Sequence, residues 1–239
     1  MAPAISGVGA GTMPDSVDGR LVLIAGATSA SGLAAARALA SAGARVVAAG
    51  RDRAKLDELA AEVSGIGTQV CDLGDEAAVG ALAERVHGTF GAVDGVLHLV
   101  GGWRGGGGLA GQTEADYRAL ESSFTALRHV SRAFDADLRA SSAGRLAVVS
   151  STAVARPLAG GANYAAVKAA TEAWTRAVAQ GFAKAARDAG APLAAASVVF
   201  RVKALSGLED ALALRFTDLW QAEAAEVNDT IVELTAPDL

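Results

Sequence analysis

The sequence predicts a doubly wound α/β fold, with a mostly parallel sheet of about seven strands and helices on both faces. Short apolar runs rich in β-branched residues alternate along the chain with longer Ala-rich helical patterns. The runs are continuously apolar, which is typical of strands that are buried on both faces. Strands that alternate with helices in this way form parallel sheets with right-handed crossovers.

The apolar patterns predict the positions of seven strands and of the helices between them. In the first helical pattern, apolar residues recur at the spacing of Leu33, Ala36 and Leu39, which places them on one helix face. The strands are expected at residues 21–24, 45–48, 67–71, 95–100, 145–149, 193–200 and 230–234. The later helices are expected at residues 52–63, 76–86, 113–138, 163–187 and 208–221.

We expect a single domain over residues 20–239, because no internal repeat and no Pro/Ser-rich linker divides that part of the chain. Residues 1–19 contain Gly, Pro, Ser and Asp without periodicity, which predicts a flexible leader. The residues are 51% hydrophobic and the mean hydropathy is +0.31, so the chain has enough apolar surface to form a large core.

The composition argues against several classes of partner. The net charge is −5 and no basic cluster is present, which disfavours binding to nucleic acid or to an anionic membrane. The single cysteine, Cys71, has no partner for an internal disulfide, and neither a signal peptide nor a membrane-spanning apolar stretch is evident. We therefore expect a cytoplasmic protein. No His/Cys/Asp/Glu group has the spacing of metal ligands, so no metal is expected.

A turn of small residues follows the first predicted strand and begins the first helix. The N-terminus of a helix binds the pyrophosphate of a dinucleotide through free N–H groups and the positive end of the helix dipole. Small side chains let the backbone approach the phosphates, although a turn selected only for packing is the alternative interpretation. The candidate cofactor-binding residues are Gly26, Thr28, Ser29, Ala30, Ser31 and Gly32.

The end of the second predicted strand bears on the choice of dinucleotide. A carboxylate at this place holds the ribose 2′-hydroxyl of NAD, whereas an arginine accommodates the 2′-phosphate of NADP. Here Gly50 leaves room and Arg51 supplies positive charge, so NADP(H) is favoured over NAD(H). Asp52 could still take the acidic role, or it could be the N-cap of the next helix.

Tyr164 and Lys168 lie four residues apart in a predicted helix, and therefore on one face of it. An ammonium in this position stabilises a phenolate, so the tyrosine could exchange a proton with a substrate oxygen. Ser151, at the end of a predicted strand, could donate a hydrogen bond to the same oxygen. These three side chains are candidates for a site that protonates a carbonyl while a hydride arrives from elsewhere.

The segment Gly101–Gly108 contains six glycines together with Trp103 and Arg104, and it follows a predicted strand. Ligands of open α/β sheets bind at the carboxyl ends of the strands. The segment could therefore be a lid in which Trp103 or Arg104 touches cofactor or substrate. It could equally be a connector that makes no contacts.

These motifs, in this order, resemble the short-chain dehydrogenase/reductase family of one-domain type, whose fold is of the Rossmann type. The likeness covers about residues 20–200 and includes a serine thirteen residues before the tyrosine. It implies that Tyr164 is the general acid/base, that Lys168 stabilises its phenolate and holds the nicotinamide ribose, and that Ser151 orients the substrate carbonyl. It also implies cofactor contacts for the residues after the third and fourth strands. These are Asp72, Leu73, Val100 and Gly101.

The resemblance implies an NAD(P)(H)-dependent oxidoreductase that acts on a ketone or secondary alcohol. Two alternatives keep the fold. One is a dinucleotide-binding regulator or assembly subunit whose site has drifted, and the other is a non-redox dehydratase or epimerase. Family likeness also implies a homodimer or homotetramer through the helices at 113–138 and 163–187. The substrate is not identified, and no charged cluster that would select an acid or a phosphate is apparent from the sequence.

The chain departs from the family pattern at several places. The family usually has Thr at the position of Ala25 and Gly at that of Ala30, where a methyl is expected to weaken pyrophosphate binding. His98-Leu-Val-Gly101 replaces Asn-Asn-Ala-Gly, and we interpret His98 as a packed strand residue in preference to a catalytic one. Ser123 aligns with the proton-relay asparagine, which makes it a further catalytic candidate. Phe200-Arg201 replaces Pro-Gly after the sixth strand and is expected to alter the nicotinamide and substrate pocket most.

Overall fold

The computed structural model describes residues 16–235, which form a seven-stranded sheet with helices on both faces. All neighbouring strands pair in parallel, in the order β3-β2-β1-β4-β5-β6-β7. The strands are β1 (Leu21–Ala25), β2 (Arg45–Gly50), β3 (Gly67–Val70), β4 (Gly95–His98), β5 (Arg145–Ser151), β6 (Ala196–Val202) and β7 (Thr230–Leu234). The predicted fold class and strand number are confirmed.

The helices form the crossovers between the parallel strands. They are α1 (Ala30–Ser41), α2 (Arg53–Glu62), α3 (Glu76–Thr89), α4 (Glu114–Ala133), α5 (Asp135–Ala140), α6 (Ala162–Asp188), α7 (Glu209–Thr217) and α8 (Ala224–Val227). The crossover from β6 to β7 departs from the hand of the others, because α7 packs on the same face as α1 although β7 lies on the opposite side of the sheet from β2. Several of the helices begin at a side-chain cap. The side chains of Ser29, Asp52, Asp75 and Thr113 each accept a hydrogen bond from a backbone N–H in the first turn of the following helix.

Two apolar cores lie on opposite faces of the sheet, because successive side chains of a strand point to opposite sides. On β1, Val22 and Ile24 belong to the core with α1, α2 and α7, whereas Leu21 and Leu23 belong to the core with α3, α4 and α6. Trp220, fully buried, donates its indole N–H to the Ala143 carbonyl at 2.9 Å. These cores fix the strands, and thereby the loops at their carboxyl ends.

Several predicted element boundaries need correction. The helix expected at 208–221 is α7 followed by a short 3₁₀ helix at Asp218–Gln221, the fifth strand extends to Ser151, and α8 was not predicted. The helix expected over 113–138 is two helices, because the backbone leaves helical geometry at the fully buried Phe134, between α4 and α5. The fourth strand ends at His98, and the sixth runs from Ala196 to Val202 instead of 193–200. Val100 and Leu193 are apolar and pack on the core although they lie outside the strands, whereas β6 continues through the charged Arg201, so the apolar pattern alone misplaces the ends.

Most of the predicted leader lies outside the described residues. Within the described part, Val17 is buried in the core, so the packed domain includes residues just before 20. In the stretch from residue 16 to 235, no helix has the length and apolar character needed to cross a membrane. The same stretch holds no group of three or more His, Cys, Asp or Glu side chains arranged to bind a metal ion.

Candidate active site

Two adjoining cavities lie along the carboxyl edge of the sheet. The large cavity, about 1260 Å³, is lined by residues after β4, β5 and β6 and by the start of α6. The small cavity, about 750 Å³, is lined by residues after β1, β2 and β3. Ser29, Leu99, Val100 and Gly101 line both, so the two cavities form one groove across the middle of the sheet. This is the edge at which open α/β sheets bind their ligands.

The structure brings Ser151, Tyr164 and Lys168 together in the large cavity. Ser151 is the last residue of β5, and its hydroxyl oxygen accepts a hydrogen bond from the Ala153 N–H at 3.2 Å. Lys168 Nζ donates to the Val149 carbonyl at 2.8 Å and lies 5.8 Å from the centre of the Tyr164 ring. The backbone of β5 thus holds the ammonium beside the phenol.

Lys168 is buried, and burial lowers its pKa to about 8. The negative charge of Glu172, one turn further along α6, opposes that effect. Glu172 is itself 9% exposed and accepts hydrogen bonds from Arg201 on β6, at 3.1 and 2.7 Å, and from the Ser150 hydroxyl at 2.7 Å. This buried network links the three elements that carry the cavity.

Ser123 does not line either cavity. Its hydroxyl donates to the Leu120 carbonyl at 2.7 Å within α4, so the geometry gives no support to the predicted relay role of this hydroxyl. Its own carbonyl oxygen lies 3.2 Å from Nε2 of His98, and because a carbonyl only accepts, Nε2 carries the proton.

His98 is both a packed residue and part of the site. It is buried at the end of β4, yet it lines the large cavity. Burial lowers its pKa to about 4, with a smaller contribution from the Lys168 charge, so the ring is neutral at pH 7. Its Nδ1 has no hydrogen-bond partner among residues 16–235.

Two glycines and a helix cap shape the turn between β1 and α1. Gly26 has φ +87°, and a Cβ there would lie 2.8 Å from the Val100 backbone nitrogen, so only glycine fits. A Cβ on Gly32 would lie 2.0 Å from the Ala27 carbonyl oxygen, which means that Gly32 serves close packing of α1 on the turn. Ser29 caps α1 by accepting from the Gly32 N–H at 3.2 Å.

The predicted turn residues therefore divide into two sets. Gly26, Thr28, Ser29 and Ser31 line the groove, and Ala30 and Gly32 line neither cavity. Ala30, the first residue of α1, is exposed.

The ends of β2 and β3 form the far part of the small cavity. Arg51 lines it together with Arg53 and Lys55. Asp52 is the N-cap of α2, since its Oδ1 accepts from the Lys55 N–H at 3.2 Å. Asp72 lines the cavity with Leu73, and its Oδ1 accepts from the Gly74 N–H at 3.0 Å.

The glycine-rich segment is not a connector without contacts. Gly101, Gly102, Trp103 and Gly106 line the large cavity. The Gly106 N–H donates to the Gly160 carbonyl at 2.7 Å, across the cavity mouth. Arg104 forms an ion pair with Asp116 at 3.8 Å and does not line the cavity. Of the two side chains proposed for a lid, Trp103 therefore faces the site and Arg104 does not.

Gln112 holds the glycine-rich segment in place, and the sequence analysis did not identify this residue. Its side-chain NH₂ group contacts the carbonyl oxygens of Gly106, Gly108 and Gly160, at 3.2, 3.3 and 3.0 Å. Its side-chain oxygen accepts from the Asn163 N–H at 3.1 Å, at the start of α6. No signal around Gln112 in the sequence indicates this role.

A profile of the short chain dehydrogenase family matches residues 20–186. The chain belongs to the short chain dehydrogenase family. The matched residues include the turn after β1, Arg51, Ser151, Tyr164 and Lys168, so the predicted resemblance is confirmed, and with it the predicted class of oxidoreductase.

Curated relatives of this short chain dehydrogenase match over part of their length. An uncharacterised oxidoreductase of Mycobacterium bovis is 37% identical over 94 residues, which are 36% of this chain and 28% of that protein. A protein of Streptomyces violaceoruber, named as a ketoacyl reductase of the granaticin polyketide synthase, is 36% identical over 96 residues. That match covers 38% of this chain and 35% of the relative.

Solved structures of the family share the whole fold. A metagenomic short-chain oxidoreductase in complex with NADP has a TM-score of 0.79 and 26% identity, with 92% of this chain and 99% of that one covered. A short chain dehydrogenase from Pseudomonas syringae has a TM-score of 0.81 at 22% identity, covering 92% and 96%. L-Sorbose reductase from Gluconobacter frateurii, complexed with NADPH and L-sorbose, has a TM-score of 0.78 at 18% identity, covering 93% and 97%.

The part of this dehydrogenase that differs most from expectation is the wall after β6. Phe200 is buried in the core and Arg201 pairs with Glu172, so neither lines the cavity, contrary to the prediction. The wall is formed instead by residues 202–206, which include Lys203.

Arg156 also lines the large cavity, although no charged cluster that would select an acid or a phosphate was apparent from the sequence. One signal could have identified it. Arg156 is the only charged residue between Ser151 and Lys168.

Proposed function

We propose that the protein is an NADP(H)-dependent oxidoreductase that transfers a hydride between the nicotinamide and a ketone or secondary alcohol. One observation carries the proposal. Ser151, Tyr164 and Lys168 converge in the large cavity, which is continuous with a small cavity formed at the turn after β1. A candidate proton-transfer site thus adjoins a groove that extends to the turn after β1 and to the ends of β2 and β3.

Tyr164 is the proposed general acid/base. The Lys168 ammonium, fixed by the Val149 carbonyl, lies beside the phenol ring and favours the phenolate formed when the proton leaves. With a pKa of about 8, Lys168 is mostly charged at pH 7. In the reduction direction, the Tyr164 hydroxyl gives its proton to the alkoxide oxygen as it develops, and Lys168 stabilises the phenolate that remains.

Ser151 is the proposed donor that orients the substrate carbonyl. Its oxygen already accepts a hydrogen bond from the Ala153 N–H, which leaves the hydroxyl hydrogen free to donate. A donor at this place stabilises negative charge on the oxygen that Tyr164 protonates. Because Ser123 donates to Leu120 within its helix, the proposed mechanism gives its hydroxyl no step.

The groove fits a dinucleotide. The N-terminus of the twelve-residue helix α1 opens on it beside Ser29 and Ser31, and Gly26 keeps the backbone close to Val100. Pyrophosphate is bound by free N–H groups in this arrangement. When bound, the nicotinamide supplies the hydride.

The preference for NADP(H) is supported at the end of β2. A Cβ on Gly50 would lie 3.0 Å from the Thr28 methyl, so a side chain there would crowd the small cavity. Asp52 is the N-cap of α2, and the cations at this end of the cavity are Arg51, Arg53 and Lys55. Arg51 follows β2 directly and is the group that we propose to meet the 2′ substituent. The metagenomic relative bound to NADP is consistent with this choice.

Turnover of NADPH with a panel of ketones, followed by the loss of reduced-nicotinamide absorbance, tests the function. Binding is measured separately by quenching of tryptophan fluorescence. We expect binding and turnover of at least one ketone. Tight NADPH binding without turnover across a broad panel would contradict the proposal and leave the drifted regulator or the non-redox enzyme.

We also propose that the protein is a homodimer or homotetramer through α4 and α6. Among the apolar residues of α6, Phe182 is buried in the core, whereas Ala169 and Ala173 are exposed and available to a second copy. Sedimentation analysis tests this assembly, and a monomer at micromolar concentration would contradict it.

A further inference from the structure

The large cavity is lined by cations and by no carboxylate. Among the described residues that line it, the charged side chains are Arg156, Lys168 and Lys203, and neither Asp nor Glu is present. His98 adds no negative charge, because it is neutral. The chain as a whole has a net charge of −5. A cavity of positive sign in an acidic protein favours an anionic ligand.

The three cations occupy different places. Lys168 belongs to the proposed catalytic group, and Lys203 follows directly after β6. Arg156 lies in the segment between β5 and α6, which does not contribute to the small cavity. Arg156 is therefore on the side of the site that remains for the substrate when a dinucleotide fills the groove.

Arg156 has no ion-pair partner among residues 16–235, and it is an exposed residue that lines the large cavity. Arg104 provides a contrast on the glycine-rich segment, because it is paired with Asp116 and lies outside the cavity lining. An unpaired guanidinium presents a planar fork of donors that matches a carboxylate in a bidentate geometry.

The remaining wall at the mouth is apolar. Trp103 is 66% exposed and Leu158 is 71% exposed, and both line the large cavity. Val202 and Leu205 line it from the β6 side. Exposed large apolar side chains that are grouped at a cavity mouth mark a binding groove. A ligand that covers them needs an apolar body.

We propose that the substrate is an amphiphilic keto acid or hydroxy acid, whose apolar body packs on Trp103 and Leu158 and whose carboxylate pairs with Arg156. This inference rests on the proposed function, because it places the reacting carbonyl at Tyr164. It revises the sequence-based expectation that no charged group selects an acid.

The test compares phenyl ketones that carry a terminal carboxylate with the primary amides of the same acids, which have nearly the same shape but are uncharged and replace one acceptor oxygen by an NH₂ group. Dissociation constants are measured by tryptophan fluorescence with NADPH bound, and kcat/KM is measured by NADPH consumption. Arg156→Leu keeps an apolar stem and removes the charge. It should weaken acid binding and lower kcat/KM for the acids by roughly tenfold to a hundredfold, the value of a charge-assisted hydrogen bond, and leave the amides within about twofold.

Arg104→Leu is the matched control, and it should leave both series within about twofold of the parent protein. The inference is overturned if acids and amides bind equally well to the parent protein. It is also overturned if Arg156→Leu weakens both series alike, or if the selective loss follows Lys203→Met instead. Selective binding of acids without turnover of either series would support the inference and contradict the proposed redox function.

Discussion

The two ends of the groove are held by contacts of very different range. In the small cavity, the hydrogen bonds made by side chains of the wall join near neighbours. Ser29 accepts from Gly32 and Asp52 accepts from Lys55, three residues away in each case, and Asp72 accepts from a residue two positions on. These contacts depend on local sequence alone.

In the large cavity, most of the corresponding side-chain bonds cross the fold, the local bond from the Ala153 N–H to Ser151 being an exception. The partner of Lys168 is 19 residues away, and the partner of His98 is 25 residues away. Arg201 and Glu172 are separated by 29 residues, and Gln112 and Gly160 by 48. The large cavity, which is the catalytic end of the groove, therefore forms only when the sheet is assembled. Substitutions of the residues that make these long-range bonds should affect both catalysis and stability. At the small cavity, which is the cofactor end of the groove, the loss of a single side-chain hydrogen bond should reduce stability less.

The largest expected effect is on the chemistry of the catalytic end. Tyr164→Phe removes the proposed proton donor, and we expect kcat/KM for ketone reduction to fall by roughly 10²- to 10⁴-fold, with NADPH affinity changed no more than a few-fold. Tyr117→Phe on α4, outside both cavities, is the control and should keep full activity. Steady-state kinetics and fluorescence titration measure the two quantities, and activity equal to the parent in Tyr164→Phe would refute the assignment.

The second effect compares the stability of the two ends. Glu172→Gln leaves the guanidinium of Arg201 without its buried counter-charge, and we expect the free energy of unfolding to drop by roughly 3 kcal/mol. Asp52→Ala removes a local helix cap and should cost about 1 kcal/mol. Urea unfolding measures both. Equal losses would show that contact range does not distinguish the two ends.

The third effect isolates the cofactor end. Arg51→Ala removes the charge proposed to meet the 2′-phosphate, so NADPH affinity should fall roughly tenfold or more. NADH is the internal control, and its affinity should change by less than about twofold because it lacks that phosphate. Fluorescence titration gives both dissociation constants. An equal loss of affinity for NADPH and NADH would mean that Arg51 does not bind the 2′-phosphate.

The smallest effect is a shift in pH dependence. Lys168 loses its charge as pH rises through about 8, so kcat/KM for NADP⁺ in alcohol oxidation should fall on the alkaline side, because this parameter reports the free enzyme. The groups around Lys168 are Tyr164 and Glu172 on α6 and the neutral His98 on β4. Glu172→Gln removes the negative charge that raises the pKa of Lys168 and should move this limb to lower pH.

Glu233→Gln is the matched control for that shift. Glu233 lies on β7, where its exposed carboxylate is 3.8 Å from Arg201 and is not among the groups that shift the pKa of Lys168. The alkaline limb should stay in place in this variant. A limb that does not move in Glu172→Gln either would exclude Glu172 from the tuning of Lys168.

The difference in contact range between the two cavities also explains which features could be predicted from the sequence. The turn after β1 and the N-cap at Asp52 are local patterns, and both are found in the structure where the sequence indicates them. The pair Tyr164 and Lys168 is also local, because it needs only one turn of helix. Apolar periodicity predicts the strand number, but it cannot detect the change in backbone geometry at Phe134, which keeps its side chain buried.

The long-range partners could not be predicted in this way. Arg201 was expected to alter the pocket, whereas the register of β5 with β6 places it opposite Ser150, and its side chain pairs with Glu172 behind the site. Gln112 reaches Gly160 only because the glycine-rich segment folds back across the cavity mouth. The roles of these residues follow from sheet pairing and loop packing, which a single sequence does not report.

Transfer of deuterium from NADPH that carries deuterium in both C4 positions of the nicotinamide tests the central claim most directly, because hydride transfer from either face of the ring then delivers deuterium. The product alcohol of an accepted ketone is analysed by mass spectrometry and NMR. We expect one deuterium on the carbinol carbon with the labelled nucleotide in ordinary water, and none there with unlabelled nucleotide in deuterated water. Deuterium that enters the carbon from solvent, or consumption of the ketone without consumption of NADPH, would contradict hydride transfer at the site formed by Ser151, Tyr164 and Lys168.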